Sequence, residues 1–470
     1  MKKISFSVLL LLTLLPNKAN AQSFVSFDKT LSVHKPNKQT TQKDRAIKFL
    51  EQAIKLSEKE THTAIRADML SSLAFVYVKL GDKNKADKLL DLSRELIGKE
   101  DDLTKDCYEC PSKEYFKTIV AVNHHLAGET QAGLKMLDEI VVLAKQNPQK
   151  KNPYLLGGLA FVYAKFGNQE RALDLLSEAF KIAKTMEDNK GDVFALNSIA
   201  KRYALLSKTD LAMQVVQSIK KGFSDHAIIA IARKYADTGQ FDRAVQLNKL
   251  VESPNMKPDI LIYVAGQCLK SGNKEKAVTL LNEAMKLFDA SNPKDVKNRV
   301  PAAAIYLYAE AGEYNQASNL MKRIKGVRIL SELAVIYSKM GHNKEAEKLL
   351  SEAYEMSGEY KGSDYQAVDL RVIANAYAFV GRKDRASALL SEAVNVLSSL
   401  KDTYKNDLHF AEIAMSYQFI GDDENVVKML ERIDDNYFGT KIGTLLALAS
   451  SYIASCNPEK TQKTTPNLQS

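Results

Sequence analysis

"GNQERALDLLSEA" spans residues 167–179, and close copies return along the chain: "GNKEKAVTLLNEA" from Gly272, "GHNKEAEKLLSEA" from Gly341 and "GRKDRASALLSEA" from Gly381. Aligned on the opening glycine, the sequence carries it at Gly81, Gly128, Gly167, Gly239, Gly272, Gly312, Gly341, Gly381 and Gly421, with Ser207 once in the same place. Four residues earlier stands tyrosine in most copies, as at Tyr77, Tyr163, Tyr308 and Tyr417. Alanine stands seven before and five after, as in Ala160 and Ala172 around Gly167. Fixed offsets recurring in ten copies define a repeat array. A chain of 470 residues would otherwise hold about two to four domains. An array has no single central core, so that arithmetic does not apply.

Each offset has a physical reason. In "LAFVYAKFG" (159–167) Leu159, Ala160, Tyr163 and Phe166 fall on one helical face. Glycine stops that helix because a left-handed residue there carries no Cβ to clash. In "NQERALDLLSEAFKIA" the residues Ala172, Leu175, Leu176 and Ala179 form the face of a second helix. So short a turn makes the two helices antiparallel neighbours. Alanines at both offsets let the backbones approach near the lower end of the usual ~8–10 Å separation, and the tyrosine fills the wedge with its hydroxyl near the edge. One such hairpin cannot cover its own apolar face, so the next must stack on it.

These residues resemble the tetratricopeptide repeat: a small residue, tyrosine, glycine and alanine at the observed spacings, then Leu176 and Ala179, Leu281 and Ala284, Leu350 and Ala353, or Leu390 and Ala393. The resemblance covers roughly residues 41–456. It implies an all-α fold, a right-handed superhelical α-solenoid of about ten helix-turn-helix repeats. The family tryptophan is absent, the closing proline is mostly missing, and most units run near 40 residues where the family norm is about 34. The second copy is weak, with His124 for tyrosine and Gly133 for alanine.

The ends read as single-helix caps. "DRAIKFLEQAIKL" from Asp44 is a second helix without a first, and "GTLLALASSYIASC" from Gly443 is a first helix without a second. Each would present one wet face and stop the stacking. Residues 22–40 and 457–470 are expected to be disordered tails.

Residues 1–21, "MKKISFSVLLLLTLLPNKANA", have the form of a secretory signal peptide: a basic start at Lys2 and Lys3, an apolar run Ile4–Leu15, and Ala19-Asn20-Ala21 for cleavage after Ala21. The mature chain is then expected to be periplasmic or secreted, with no transmembrane segment. Loss of Lys2, Lys3 and Lys18 lowers the formal charge from +9 to +6, only mildly basic. Export also frames "CYECP", where Cys107 and Cys110 read as a small loop disulfide. A redox-active pair would want a βαβ context, and a zinc site would need two more ligands. The adjacent His124 and His125 point about 100° apart on a helix and do not supply them. Cys268 and Cys456 read as buried small hydrophobes.

Candidate chemistry is sparse. There is no phosphate-binding glycine loop, zinc-protease histidine pair or nucleophile elbow, and no cofactor or metal is implied. Paired carboxylates such as Asp422 and Asp423 fall in repeat turns, where a helix N-terminus favours negative charge. What remains is surface. In the family resembled, first helices line a concave groove. The corresponding offsets here carry Lys79, Lys165, Lys201, Arg233, Lys270, Arg299, Arg328, Lys339 and Arg371, against the acids Asp68, Asp237, Asp259 and Glu310. Phe75, Phe161, Tyr306, Phe379 and Phe419 share those offsets as apolar anchors. The resemblance and this charge excess point to an exported, non-enzymatic scaffold that is expected to bind a protein or peptide, with an acidic one favoured. A binder of anionic cell-wall or surface polymer is the alternative, and an enzyme ranks third. Export and the modest charge disfavour nucleic acid. The sequence does not set an oligomeric state.

Overall fold

The computed structural model describes residues 38–99, 113–146, 153–186, 191–220, 222–290, 299–323, 326–400, 403–434 and 438–456. The leader, most of segment 22–40, Cys107, Cys110 and the tail 457–470 lie outside the described residues. Among the described residues there are 22 α-helices and no strand. The chain divides into two compact units, Val141–Ala353 and the combination of Met1–Ile140 with Tyr354–Ser470.

The hairpins follow in chain order. A lone helix α1 (Lys38–Ser57) begins three residues before the expected start of order and precedes α2 (Thr63–Leu80) with α3 (Lys83–Gly98), and α4 (Lys113–Leu126) with α5 (Thr130–Gln146). The second unit holds α6 (Pro153–Lys165) with α7 (Gln169–Ala183), α8 (Gly191–Leu205) with α9 (Thr209–Gln217), and α10 (Asp225–Asp237) with α11 (Phe241–Gln246). It continues with α12 (Lys257–Lys270) and α13 (Lys274–Ala290), α14 (Arg299–Glu310) and α15 (Tyr314–Arg323), and α16 (Val327–Lys339) and α17 (Asn343–Ser357). The chain then returns to the first unit as α18 (Asp364–Phe379) with α19 (Lys383–Ser398), α20 (Thr403–Ile420) with α21 (Asp423–Arg432), and α22 (Phe438–Cys456).

The turn at Gly167 shows how the phrase works. Gly167 has φ +83°, its N–H donates to Ala164 O (3.1 Å), and Asn168 N–H donates to Tyr163 O (2.9 Å). This pair of bonds is a Schellman ending, which satisfies carbonyls that the helix leaves open. The Asn168 side chain then accepts from Arg171 N (3.1 Å) and caps the next helix. Asp82, Asn273 and Asp422 do the same after their glycines. Ser207 adopts φ +61° with the same two bonds, from Ser207 N to Ala204 O and from Lys208 N to Tyr203 O. The phrase therefore ends one helix and starts another across two or three residues.

Packing answers to the same offsets. Ala160, Ala172, Ala265, Ala277, Ala374 and Ala386 are fully buried, as are Leu176, Leu281 and Leu390. Each buried leucine contributes roughly 1.5–3 kcal/mol of transfer free energy. The tyrosine does more than fill a wedge within its own hairpin. Tyr308 donates to Asn282 Oδ1 (2.7 Å), and the Tyr417 hydroxyl bonds the Ser391 hydroxyl (3.1 Å). Both partners lie on the second helix of the preceding repeat. The residue thus ties one repeat to the next, and the stacking inferred from apolar faces has a polar counterpart.

Two departures have local causes. The repeat that opens at Gly239 has the shortest second helix among the described residues. α11 gives way after six residues to a 3₁₀ turn, Leu247–Leu250. The buried Asp225 carboxylate pins the following strand-like stretch by accepting from Glu252 N and Ser253 N, both at 2.9 Å. Burial disfavours its charged form, but the bonds from Ser253 and Glu252 prevail and hold its pKa below the usual value. In the second repeat His124 replaces the tyrosine. It is fully buried, with Nδ1 2.8 Å from Glu129 Oε2, and Arg94 donates to the same oxygen at 3.2 Å.

The lone end helices exist as expected, but they are not caps with wet faces. Helix α22 is the principal partner of α1, and α22 also packs on α20 before it and α2 after it. The Phe49 and Tyr452 ring centroids lie 5.9 Å apart, and Ala46, Leu50, Ala53, Leu445, Leu448 and Ala449 are fully buried. Asp423 receives both the Tyr452 hydroxyl and the Arg45 guanidinium, and Ser451 Oγ donates to Gln418 Oε1 (3.0 Å). The physical reason lies in the phrase itself. Residues 41–53, "TQKDRAIKFLEQA", are a second-helix phrase with Thr41 at the glycine position. Ala449 and Tyr452 place Cys456 at the glycine position of the final first helix. The two ends are halves of one repeat cut at its turn, and Cys456 Sγ lies 3.8 Å from Gln42 Oε1. Cys456 is accordingly half-buried, whereas Cys268 is buried as expected. The first unit is therefore a stack in the order α18/α19, α20/α21, α22/α1, α2/α3, α4/α5.

Candidate functional site

The first helices carry the candidate residues, and the two units are taken separately. In the unit Val141–Ala353, the residue two before each turn glycine forms a row across successive first helices. Lys270, Glu310 and Lys339 occupy it on α12, α14 and α16. Burial raises the Glu310 pKa, and the charges of Lys270 and Lys339 act against that rise. Glu310 therefore lies within electrostatic reach of a lysine on the first helix of each neighbouring repeat. Glu310 is exposed by area, and the partial loss of surrounding water disfavours its charge. Beside it, burial also raises Glu332, which hydrogen-bonds Tyr306 and lies 4.0 Å from Arg328 Nε. The Tyr306 pKa rises for the same reasons, burial first and then the Glu332 charge.

Toward α6 the balance changes. Lys165 Nζ sits 5.3 Å from the Phe161 ring centroid, and burial lowers its pKa with no acid opposing. Arg233 stacks on Tyr263 at 5.1 Å, while the nearby Asp237 accepts from Tyr263 (2.6 Å) and Gln267 (3.1 Å). On α8 the structure brings Arg202, not Lys201, against a neighbouring first helix. Lys201 is exposed, whereas Arg202 is half-buried, holds the Ser198 hydroxyl, and has its pKa lowered by burial.

Gly157 explains Arg202. A Cβ added at Gly157 would lie 3.4 Å from both Cδ and Nε of Arg202, so the guanidinium stem rests where a side chain is missing. Gly158, next to it, has nothing within 4 Å of its would-be Cβ. Two glycines inside α6 cost about 1 kcal/mol each in helix propensity. They leave a floor of bare backbone beside Arg202, which is where glycine permits close approach of another chain. The exposed aromatics Tyr154 and Phe194 stand at one matching offset on α6 and α8. Sequence reasoning passed over Arg202, Tyr154 and Phe194. The glycine pair "GG" at 157–158 and the offset shared with Arg328 were the available signals.

In the other unit one candidate cation is answered by an acid among the described residues and one is not. Arg371 Nη2 pairs with Glu412 Oε2 at 2.8 Å from α18 to α20. Lys79 caps the buried Phe75 ring at 4.4 Å, and burial lowers its pKa. The Phe379 and Phe419 ring centroids are 5.7 Å apart on successive first helices. Asp68, expected on the groove, is almost fully buried and accepts from Ser72 Oγ (3.4 Å), and Asn123 bridges Ser71 and Ser72 from α4. With burial, the Asp68 charge pushes Tyr115 up to about 12. Arg299 begins α14, and its side chain lies outside the description. Among the described residues no group of three His, Cys, Asp or Glu is placed to hold a metal ion, and no helix is long and apolar enough to cross a membrane.

Two family models match parts of the chain. Residues 327–399 match the model described as Tetratricopeptide repeat, and residues 145–209 match that of Anaphase-promoting complex subunit 5. The matched span 327–399 holds the hairpins α16/α17 and α18/α19, which are thus tetratricopeptide-type repeats. No curated protein matches the sequence. Among solved structures, yeast Tom70 is similar at 13% identity, covering 93% of this chain and 99% of that one, with a TM-score of 0.32. The human IFIT1 dimer with m7Gppp-AAAA is similar at 14% identity, covering 76% and 95%, with a TM-score of 0.27. A Rap protein complexed with competence and sporulation factor is similar at 15% identity, covering 80% and 97%, with a TM-score of 0.26.

Proposed function

We propose that this chain is an exported, non-enzymatic scaffold that binds a protein or peptide along its first helices, with acidic groups of the partner meeting Lys165, Arg202 and Arg233. The export reading rests on the leader sequence Met1–Ala21. The observation that carries the binding reading is a contrast between two sets of cations. Lys270 and Lys339 face Glu310, Arg328 faces Glu332, and Arg371 faces Glu412. Arg202 is half-buried over a floor without side chains, and no carboxylate pairs with Lys165, Arg202 or Arg233 among the described residues. A guanidinium drawn out of water with no acid beside it gains most when a ligand brings one. The neighbouring Tyr154, Phe161 and Phe194 supply apolar contact for the same ligand.

The test is crosslinking from photoreactive residues placed at Phe194 and, as a control, at the exposed Lys181 on α7. The captured partner is then titrated against wild type and Arg202→Gln. Each lost charge-assisted bond is worth about 1.5–3 kcal/mol, so affinity is expected to fall roughly 10- to 100-fold. Equal capture at both positions, or affinity unchanged by Arg202→Gln, contradicts the reading. Binding that ignores sequence and collapses steeply with salt assigns the surface to an anionic polymer instead.

A further inference from the structure

We propose that the split repeat α22/α1 is a reversible clasp, the place where the first unit opens, and that its closure assembles the first-helix row of that unit from both ends of the chain. In an unbroken repeat, each helix is held by the chain on both sides, through its own turn and through the link to the next repeat. Helix α1 is joined to α2 through residues 58–62, and α22 follows α21, so the two helices come from opposite ends of the described residues. Every other hairpin also keeps its halves together through a turn of two or three residues, which holds their effective concentration high. The clasp has no such turn. Its closure depends on the apolar face of Ala46, Phe49, Leu50 and Ala53 against that of Leu445, Leu448, Ala449 and Tyr452. A polar lock adds to it, in which Asp423 receives Arg45 and Tyr452 together.

The position of the clasp gives its opening a consequence. Helix α22 lies between α20 and α2, touching both. Phe379 and Phe419 stand before it in the stack, on α18 and α20, and Phe75 with Lys79 after it, on α2. With the clasp closed these belong to one continuous row. With it open, the row is cut in two, and the buried faces of α1 and α22 are exposed together. A ligand bridging the two halves would favour the closed state by its differential affinity for it. The proposal concerns the chain alone and stands or falls without any ligand.

Hydrogen exchange of the full chain, followed by mass spectrometry, tests it. In the wild type, α1 and α22 should lose protection together, at a rate at least tenfold above that of the hairpin α18/α19. In Ala46→Glu, which puts a charge into the shared face, α22 should lose at least tenfold in protection although it lies some 400 residues away in sequence. Helices α12 and α13 should keep theirs, which shows that the variant is folded. Wild-type protection of α22 in Ala46→Glu overturns the proposal. So does wild-type exchange in which α1 and α22 open independently, or no faster than α18/α19, and this arm holds even when the variant fails to fold.

Discussion

Gly158→Ala separates what the fold wants from what the site wants. Gly158 sits in the interior of α6 at a helical conformation, and a Cβ there meets nothing within 4 Å. Replacing glycine by alanine at such a position removes backbone entropy from the unfolded chain and raises helix propensity, together about 0.8–1 kcal/mol. No clash opposes that gain. The variant should therefore be more stable, with amide exchange in α6 slowed about fivefold, since 1.4 kcal/mol is a factor of ten. Gly157→Ala is a calibrated contrast. Its Cβ would stand 3.4 Å from Arg202 Cδ and Nε, so the same propensity gain is offset by displacing the guanidinium stem, and the net change should be near zero. Both variants should weaken partner binding, Gly157→Ala by moving Arg202 and Gly158→Ala by covering the bare backbone. Exchange mass spectrometry on α6 and titration of the crosslinked partner read the two effects. A Gly158→Ala chain that is less stable, or one that is more stable with undiminished binding, refutes the claim that these glycines are kept for a ligand.

Three further perturbations follow from the geometry. Ser207→Gly should stabilise the turn between α8 and α9 by about 0.5–1 kcal/mol, because Ser207 holds φ +61°, a region costly to a residue with a Cβ; exchange of the α8 and α9 amides checks it. Asp225 has a depressed pKa, so its contribution is complete above its unfolded value near pH 4 and is lost as pH falls through the lower folded value. Asp225→Asn should cost about 2 kcal/mol at pH 7 and remove that acid-dependent loss, as read by denaturant titrations at several pH values. Burial, working against the Glu129 bond, lowers the pKa of His124. Its stabilising share is therefore full above about pH 6.5 and declines as pH drops from there toward the folded value. Protection of α4 and α5 should fall over that range, and His124→Tyr, the residue of most other copies, should flatten the decline.

Much of the fold was legible because each repeat solves the same local problem. The glycine must be left-handed, the alanines must sit under a neighbouring helix, and periodicity shows both without reference to the rest of the chain. The cap residue after the glycine was equally visible in Asp82, Asn168 and Asp422, although its role appears only with the Lys85, Arg171 and Asn425 amides. The pairing of α1 with α22 was harder. An amphipathic helix announces that one face needs cover, but not what covers it. Thr41 and Cys456 do mark complementary halves of one unit, so the array stops at the point in the phrase where it began. At the candidate site, counting offsets assumes one helical phase throughout. That assumption chose Lys201, whereas the missing Cβ at Gly157 admits Arg202. The charge excess also misled in part, since Glu310, Glu332 and Glu412 answer several of the cations. Which cations remain unanswered depends on contacts between helices, and these are invisible along the sequence.

The claim on which the rest depends is that helices α1 and α22 complete a single repeat. Spin labels at the exposed positions Lys43 on α1 and Ser455 on α22 report it directly, through the dipolar distance between them in the full chain. Helices packed as one hairpin run about 8–10 Å apart, so the account predicts a short, narrow distribution of about 25 Å or less once label arms are included. An open stack of some ten hairpins would place the same positions many tens of ångströms apart, and a broad distribution centred there would contradict it.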